Sequence, residues 1–165
     1  MIDISMQGAS LVLRNSMLKG AKDVVLEFSD EGTPIDFPDM ETVGYAMTMN
    51  GDLVTWTKPA PVTFRVTVIP GSSNDSALRR LLYAGHIGGA KGVAIKQQQV
   101  HIDTAILTVP SITNFGSAIG SGSMLRFTFK NGRMSGGQPA IGSNAEGKMS
   151  ARTYNFVFES VDHSA

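Results

Sequence analysis

The sequence contains no cysteine. This absence excludes disulfide bonds, a thiolate nucleophile and zinc sites with cysteine ligands. A chain of 165 residues is long enough to bury a core without such cross-links. We therefore expect a single domain over residues 1–165.

The sequence also lacks an excess of charge of either sign, since 14 Lys and Arg residues balance 14 Asp and Glu residues. Proteins that bind nucleic acid tightly usually carry an excess of Lys and Arg, because contacts to phosphates dominate their affinity. Tight binding of DNA or RNA regardless of base sequence is therefore disfavoured.

Long apolar runs are missing as well. No run approaches the roughly 20 apolar residues that a membrane helix needs, and the first residues lack the basic segment and apolar stretch of a secretory signal. These absences predict a soluble product of a cytoplasm, without a membrane partner.

Alternating apolar and polar residues, together with 18 glycines, indicate a mainly β protein. In residues 62–69, for example, Phe64, Val66 and Val68 share one face of a strand. Residues 131–148 are rich in Gly, Ser and Asn and are predicted to form a long loop. The predicted strands are 10–15, 23–28, 43–49, 53–57, 62–69, 104–109, 124–130 and 151–159.

One short helix is predicted directly after the strand 62–69. Ser72 or Ser73 is a suitable N-cap, and Asp75 favours the positive start of a helix. An apolar stripe follows in Leu78, Leu81 and Leu82. A single helix in an otherwise β domain is expected to cover the open side of a sheet.

The sequence lacks the patterns that would indicate catalysis or a bound cofactor. His86, His101 and His163 lack the close spacing of metal ligands. The acidic stretch 30–41 lacks the alternating acids of a calcium loop, and a solvated or interface loop is favoured there. The glycine-rich segments 85–92 and 116–122 depart from the phosphate-binding and dinucleotide-binding patterns. We expect no enzyme activity, no metal and no cofactor.

The segment 43–58 is predicted to be a long projecting hairpin. Asn50-Gly51 favours a type I′ turn, in which both central residues have positive φ. The arms carry more apolar side chains than so small a domain is expected to bury, so they are candidates for contacts between subunits. The alternative is that methionine and aromatic side chains here fill an irregular core. The candidate interface residues are Tyr45, Met47, Met49, Asn50, Gly51, Val54 and Trp56.

The order of these elements resembles the tail tube proteins of contractile-tailed bacteriophages. The segment VTFRVTVIPGSSNDSALRRLLYAG, residues 62–85, carries most of this resemblance: an alternating strand, a polar cap with Ser and Asn, and a Leu-rich helix. The two N-terminal strands, the long hairpin and three later strands extend it over nearly the whole chain.

The resemblance implies a fold of two packed antiparallel sheets, like a β-sandwich or barrel, with one flanking helix. It further implies a structural virion protein whose hexameric rings stack into the inner tail tube, through which the genome passes into the host without tight binding. The implied partners are other copies of the chain, the sheath protein, a baseplate or tail initiator, and the tape measure protein. The implied location is the virion, with assembly in the host cytoplasm.

Arg65, Arg126 and Lys130 are expected on polar strand faces. If these faces line the lumen, the three cations depart from the expectation of a lumen that does not hold DNA; the alternatives are that they pair with acids of neighbours or face the sheath. Two other functions remain open from the sequence. One is the inner tube of a related injection system, either type VI secretion or a phage-tail-like bacteriocin. The other is a small ligand-binding β-barrel with the helix as its lid.

Overall fold

The fold is known from a computed structural model, which describes residues 9–14, 24–25, 35–82, 101–109, 125–143 and 145–164. The mainly β class with one helix is confirmed. The elements of this described part are β1 (Ser10–Arg14), β2 (Val24–Val25), β3 (Ile35–Asp36), β4 (Val43–Met47), β5 (Leu53–Thr57), β6 (Val62–Val68), α1 (Ser73–Leu82), β7 (His101–Val109), β8 (Leu125–Gly137) and β9 (Arg152–Ser164).

The strands form two antiparallel sheets. Seven strands make the main sheet in the order β2-β1-β7-β8-β9-β6-β3, and β4 and β5 pair only with each other among the described strands. Long β8 and β9 lie at the centre of the main sheet, whereas the outermost strands β2 and β3 have two residues each. The hairpin is therefore a separate ribbon attached to one large sheet.

The core lies on one face of the main sheet, as the alternation of β6 predicts. Phe64 and Val66 are buried, whereas Arg65 between them is exposed. Phe64 lies opposite Phe156 of β9 in the sheet register, with 5.2 Å between the ring centroids. The Phe158 ring also stacks on the Phe64 ring, with 5.5 Å between the centroids. Stacked aromatic rings bury large apolar areas, and they join β6 to β9 here.

The predicted loop 131–148 is wrong in its first half, because β8 continues as a strand to Gly137. Its glycines and serines are typical of loops, but β9 pairs with this stretch and satisfies its backbone hydrogen bonds. The predicted loop before the hairpin likewise contains the short strand β3, which pairs with β6. In both places a partner strand that is distant in sequence decides the structure.

A bend in β8 keeps both of its halves against one core. Phe129 and Met134 are five residues apart, so strict alternation would place them on opposite faces, yet both are buried. Between them Asn131 has a φ of 52°, in the left-handed region that Asn tolerates. The neighbouring strand β7 follows the same change, because Ile102 and Ala105 are both buried. The sheet therefore curls around its core at Asn131.

Glycine is required directly after this bend. A Cβ atom on Gly132 would lie 2.3 Å from Cδ1 of Phe158 and 2.4 Å from the carbonyl oxygen of Val157. Overpacking of this kind costs about 1 to 3 kcal/mol. We expect Gly132→Ala to lower the free energy of unfolding by about that amount, measured by urea denaturation.

Gly136 in the same strand is a matched control. A Cβ atom there would meet Asn155 Nδ2 at 3.8 Å, an ordinary contact. We expect Gly136→Ala to be neutral or slightly stabilising, because alanine reduces the freedom of the unfolded chain. Equal losses from the two substitutions would contradict the packing of Phe158 on the Gly132 backbone.

Helix α1 begins as the sequence predicts. The Ser72 Oγ accepts a hydrogen bond from the Asp75 backbone N–H at 3.1 Å, so Ser72 is the N-cap. Leu78 and Leu82 of the apolar stripe are buried, and Leu81 packs at the margin of the core. The helix thus covers part of the sheet with the face that its leucines define.

A buried polar cluster fastens this helix to β9, and the sequence did not reveal it. Asp75 is completely buried and accepts a hydrogen bond from the Tyr154 hydroxyl at 2.6 Å. Its other carboxylate oxygen accepts the backbone N–H of Gly71 at 3.0 Å. Burial raises the pKa of Tyr154 well above its ordinary value, and the hydrogen bond to Asp75 raises it further.

Arg152 supplies the positive charge of the cluster. Its side chain is 1% exposed, with Nε 3.5 Å from the Asp75 carboxylate. The guanidinium also donates to the Gln138 carbonyl at 2.8 Å and lies 5.7 Å from the centre of the Tyr154 ring. The charge of Asp75 is therefore balanced inside the protein, and the segment after β8 is held by the same group.

Candidate assembly surface

Two legs, residues 37–42 before the hairpin and residues 58–61 after it, connect the hairpin to the main sheet. In the first leg, the Phe37 ring stacks on Phe129 with 5.7 Å between centroids and lies 5.4 Å from Phe64. The second leg runs directly into β6. The ribbon therefore starts from the aromatic core rather than from a free loop.

The base of the hairpin is closed by backbone and side-chain contacts. The Lys58 N–H donates to the Thr42 carbonyl at 2.9 Å, which brings the two legs side by side. The Lys58 ammonium also bonds the Glu41 carboxylate. This hydrogen bond, with the charge of Lys58, lowers the pKa of Glu41.

The tip of the hairpin differs from the predicted type I′ turn. Gly51 has a φ of 87°, but Asn50 is not in the positive region, so one of the two required conditions fails. Thr48 accepts the Gly51 N–H at 3.0 Å and donates its own N–H to Asp52 at 2.9 Å. These bonds define a three-residue loop, with glycine in its left-handed position. β4 consequently ends at Met47, and Met49 lies in the turn.

The hairpin exposes apolar side chains on both of its faces. The register pairs Tyr45 with Thr55 and Met47 with Leu53, which places these four side chains on one face. The other face carries Val54 and Trp56, opposite Ala46 and Gly44. The side chains of Tyr45, Leu53 and Trp56 are 73%, 61% and 53% exposed. Neither face is covered by the described part of the chain.

The seven candidate interface residues thus lie together on one ribbon, and all are exposed. They do not fill the core, so the alternative interpretation of the hairpin fails for the folded subunit. Val43 and Leu53, which are not among the seven predicted residues, are also exposed apolar residues of the ribbon. Their positions in the alternation of Tyr45 and Met47 could have identified them. Contact of this surface with other subunits stays a prediction.

Trp56 is the single tryptophan of the chain, and its ring contacts the opposite strand of the ribbon. A Cβ atom on Gly44 would lie 2.3 Å from the indole ring, so the ring rests directly on the Gly44 backbone. Because Gly44 has no side chain, the indole ring of Trp56, the largest apolar group of this face, can lie against the backbone there.

The remaining candidates for chemistry are dispersed. His101 Nε2 lies 3.3 Å from an Asp103 carboxylate oxygen, His163 is exposed at the end of β9, and His86 lies outside the described residues. Within the described ranges, no three His, Asp or Glu side chains are grouped closely enough to hold a metal ion.

The three cations expected on polar faces are exposed, as predicted. Lys130 pairs with Asp162 of its own chain at 2.6 Å. In the described part of the structure, no helix has the length and apolar character needed to cross a membrane.

Comparison with known proteins gives one family and a shared fold. The model of the family described as tail fiber protein gp32 matches residues 2–162. The fold is similar to that of a sheath/tube terminator from an extracellular contractile injection system, with a TM-score of 0.53, 10% identity, and 100% and 99% of the two chains covered. It is equally similar to the tube-terminating cap of the anti-feeding prophage, with a TM-score of 0.53, 10% identity, and 100% and 93% covered. No curated protein matches the sequence.

Proposed function

The chain belongs to the tail fiber protein gp32 family. From this premise we propose that it is a structural tail protein whose subunits form hexameric rings, and that these rings stack into an inner tail tube. The exposed apolar hairpin is the observation that carries the proposal. Apolar patches that are exposed on a free subunit typically mark surfaces that a partner covers. The fold shared with a tube terminator and a tube cap supports a role at the tube.

The edges of the main sheet support assembly through strand pairing. β3 pairs with β6 only at Arg65 and Val66, so Val62 to Phe64 have no described strand partner on that side. At the opposite edge, β2 contributes two described residues. Open edges invite pairing with another chain, and closure of a ring removes them. In our proposal each subunit joins its edges to the two neighbours in its ring.

In this proposal the hairpin makes contacts to other subunits that are separate from the pairing of sheet edges. Because both of its faces are apolar, one partner surface covers only half of the exposed area. We propose that the ribbon is clamped between two surfaces of other subunits, with Tyr45 and Met47 facing one of them and Trp56 the other. Contacts to a sheath protein, a tail initiator and a tape measure protein belong to the same proposal, as does passage of DNA through the lumen. The balanced charge of the chain suits a conduit that does not retain DNA.

Assembly of purified protein, with its single tryptophan as reporter, tests this function. Burial of Trp56 in a subunit contact is expected to shift its fluorescence to the blue as protein concentration rises. Electron micrographs of the same samples are expected to show stacked rings, with a purified tail initiator added as a seed where the protein alone remains monomeric.

The form of the assembly separates the related roles. Single rings that never stack would contradict the proposal that the protein forms the tube. They would indicate a terminating cap, since such a ring ends a tube. Slender fibres without a lumen would indicate an appendage, as the family description suggests. A monomer at every concentration, seeded or not, would refute the proposal.

A further inference from the structure

The chain contains the dipeptide Asn-Gly twice, at Asn50-Gly51 and at Asn131-Gly132. Asparagine before glycine is chemically labile, because glycine has no side chain to obstruct attack by its own backbone nitrogen on the asparagine amide. The attack needs a backbone that can leave its resting conformation for a moment. The structure places the two pairs in opposite environments.

The first pair lies at the tip of the hairpin. Asn50 is exposed, and no atom outside residues 50–52 lies within 4 Å of the position that a Cβ on Gly51 would occupy. The Gly51 nitrogen is held by one hydrogen bond, donated to Thr48 at 3.0 Å. The attack therefore requires only that this small turn opens at the end of an exposed ribbon. Openings of this kind lie at the low end of the range of local stabilities.

The second pair lies inside the main sheet. Gly132 is buried, its backbone is in contact with the Phe158 ring, and it is paired with both β7 and β9. Freeing the Gly132 nitrogen requires separation of central strands and loss of aromatic packing. The chain therefore provides an internal reference with the same two residue types.

We propose that Asn50 is a site of spontaneous deamidation in the unassembled subunit, and that this conversion limits how long the subunit stays competent for assembly. The Gly51 nitrogen gives up its proton and bonds to Cγ of Asn50, and the bond from Cγ to the amide nitrogen breaks, which releases ammonia. Water then opens the five-membered succinimide at either carbonyl and leaves aspartate or isoaspartate. The reaction consumes one water and needs no other reactant.

Both products disturb the tip. Each adds a negative charge beside the fully exposed Met49 and two residues from Asp52, and burial of an unpaired charge in a contact is costly. Isoaspartate also lengthens the backbone by one methylene group, which is incompatible with the bond from Gly51 to Thr48. This consequence rests on the proposed function, whereas the conversion itself does not.

Peptide mass spectrometry of aged protein tests the conversion. Monomeric protein is incubated at mildly alkaline pH and digested, and the conversion of Asn50 and Asn131 is followed over time. We expect Asn50 to convert at least about tenfold faster, since each 1.4 kcal/mol of additional opening free energy at Asn131 gives a factor of ten. An intact Asn50, or equal conversion at the two sites, would overturn the proposal.

Assembly assays test the consequence. Asn50→Asp imitates one product and is expected to assemble at least about tenfold more weakly than fresh wild type, the effect of a lost contact of 1.4 kcal/mol. Asn50→Gln keeps the amide but resists cyclisation, so ageing is expected to leave its assembly at the level of the fresh variant, whatever that level is, whereas aged wild type declines. Normal assembly of Asn50→Asp would refute the limit on lifetime. Failure of fresh wild type to assemble would instead refute the proposed function, with the mass measurement unaffected.

Discussion

Replacement of Asp75 by alanine is expected to lower the free energy of unfolding by about 3 to 5 kcal/mol, the cost of breaking a buried charge pair from one side. Asp75 is completely buried and contacts Tyr154, Arg152 and the Gly71 backbone. Its removal leaves Arg152 buried without its counter-charge and Tyr154 without its acceptor. The helix also loses its fastening to β9. Urea denaturation followed by circular dichroism measures this loss.

Two further variants show whether the buried cluster is the cause. Tyr154→Phe removes one hydrogen bond and keeps the ring, so a smaller loss of about 1 to 3 kcal/mol is expected. Asp39→Ala removes an exposed carboxylate and is expected to change stability by no more than about 0.5 kcal/mol. If Asp75→Ala behaves like Asp39→Ala, the cluster does not hold the helix. Because Asp75, Tyr154 and Arg152 contact one another, the effects of variants that combine substitutions at these residues are not expected to add.

Removal of the hairpin is expected to abolish assembly and leave the subunit folded. The bond from Lys58 to Thr42 shows that the two legs lie side by side, so two glycines can replace residues 43–57 without strain. The ribbon pairs with no other described strand, and its large side chains are exposed. The main sheet therefore keeps its core, and an unchanged urea midpoint for the shortened protein is the expected result.

The size of the assembly effect follows from the side chains that are removed. Interface residues of this kind contribute about 2 kcal/mol each, so two of them correspond to about 4 kcal/mol, or a loss of roughly 700-fold. We expect the concentration that is needed for assembly, measured by sedimentation, to rise by that factor. The variants Tyr45→Ala and Trp56→Ala each remove a large side chain from one face of the hairpin, so they measure the contribution of each face to assembly separately.

Ile141→Ala is a matched control for the point variants, because it removes an exposed apolar side chain from outside the hairpin. It is expected to leave assembly unchanged. Tubes of normal length from the shortened protein would show that the ribbon makes no contact that assembly needs. An effect of Tyr45→Ala without an effect of Trp56→Ala would show that only one face is covered.

Local patterns were sufficient where each residue's environment depends on its near neighbours. The alternation in β6 identified Phe64 and Val66 as core residues, and the apolar spacing of α1 identified Leu78 and Leu82. Ser72 was recognised as a possible cap because a cap bonds to residues two or three positions ahead. In each case the chemistry lies within one turn or one strand.

Local patterns were insufficient where a partner far along the chain decides the environment. The sequence predicts only that Asp75 favours the positive start of the helix, whereas Tyr154, which is 79 residues away, makes Asp75 part of a buried cluster. The stretch 131–137 has the composition of a loop, yet β9 pairs with it. At the hairpin tip, Asn50-Gly51 correctly indicated a turn, but the bond between Thr48 and Asp52 selects a three-residue loop.

The sequence by itself determined the mainly β class, the single described helix, the hairpin and the apolar residues of its arms, because alternation and capping are properties of adjacent residues. Only the tertiary structure decided that those arms are exposed on both faces, that the sheet curls at Asn131, and that Asp75, Tyr154 and Arg152 meet in the core. Burial and charge pairing depend on which distant segments come together, and the order of residues along one strand does not contain that information.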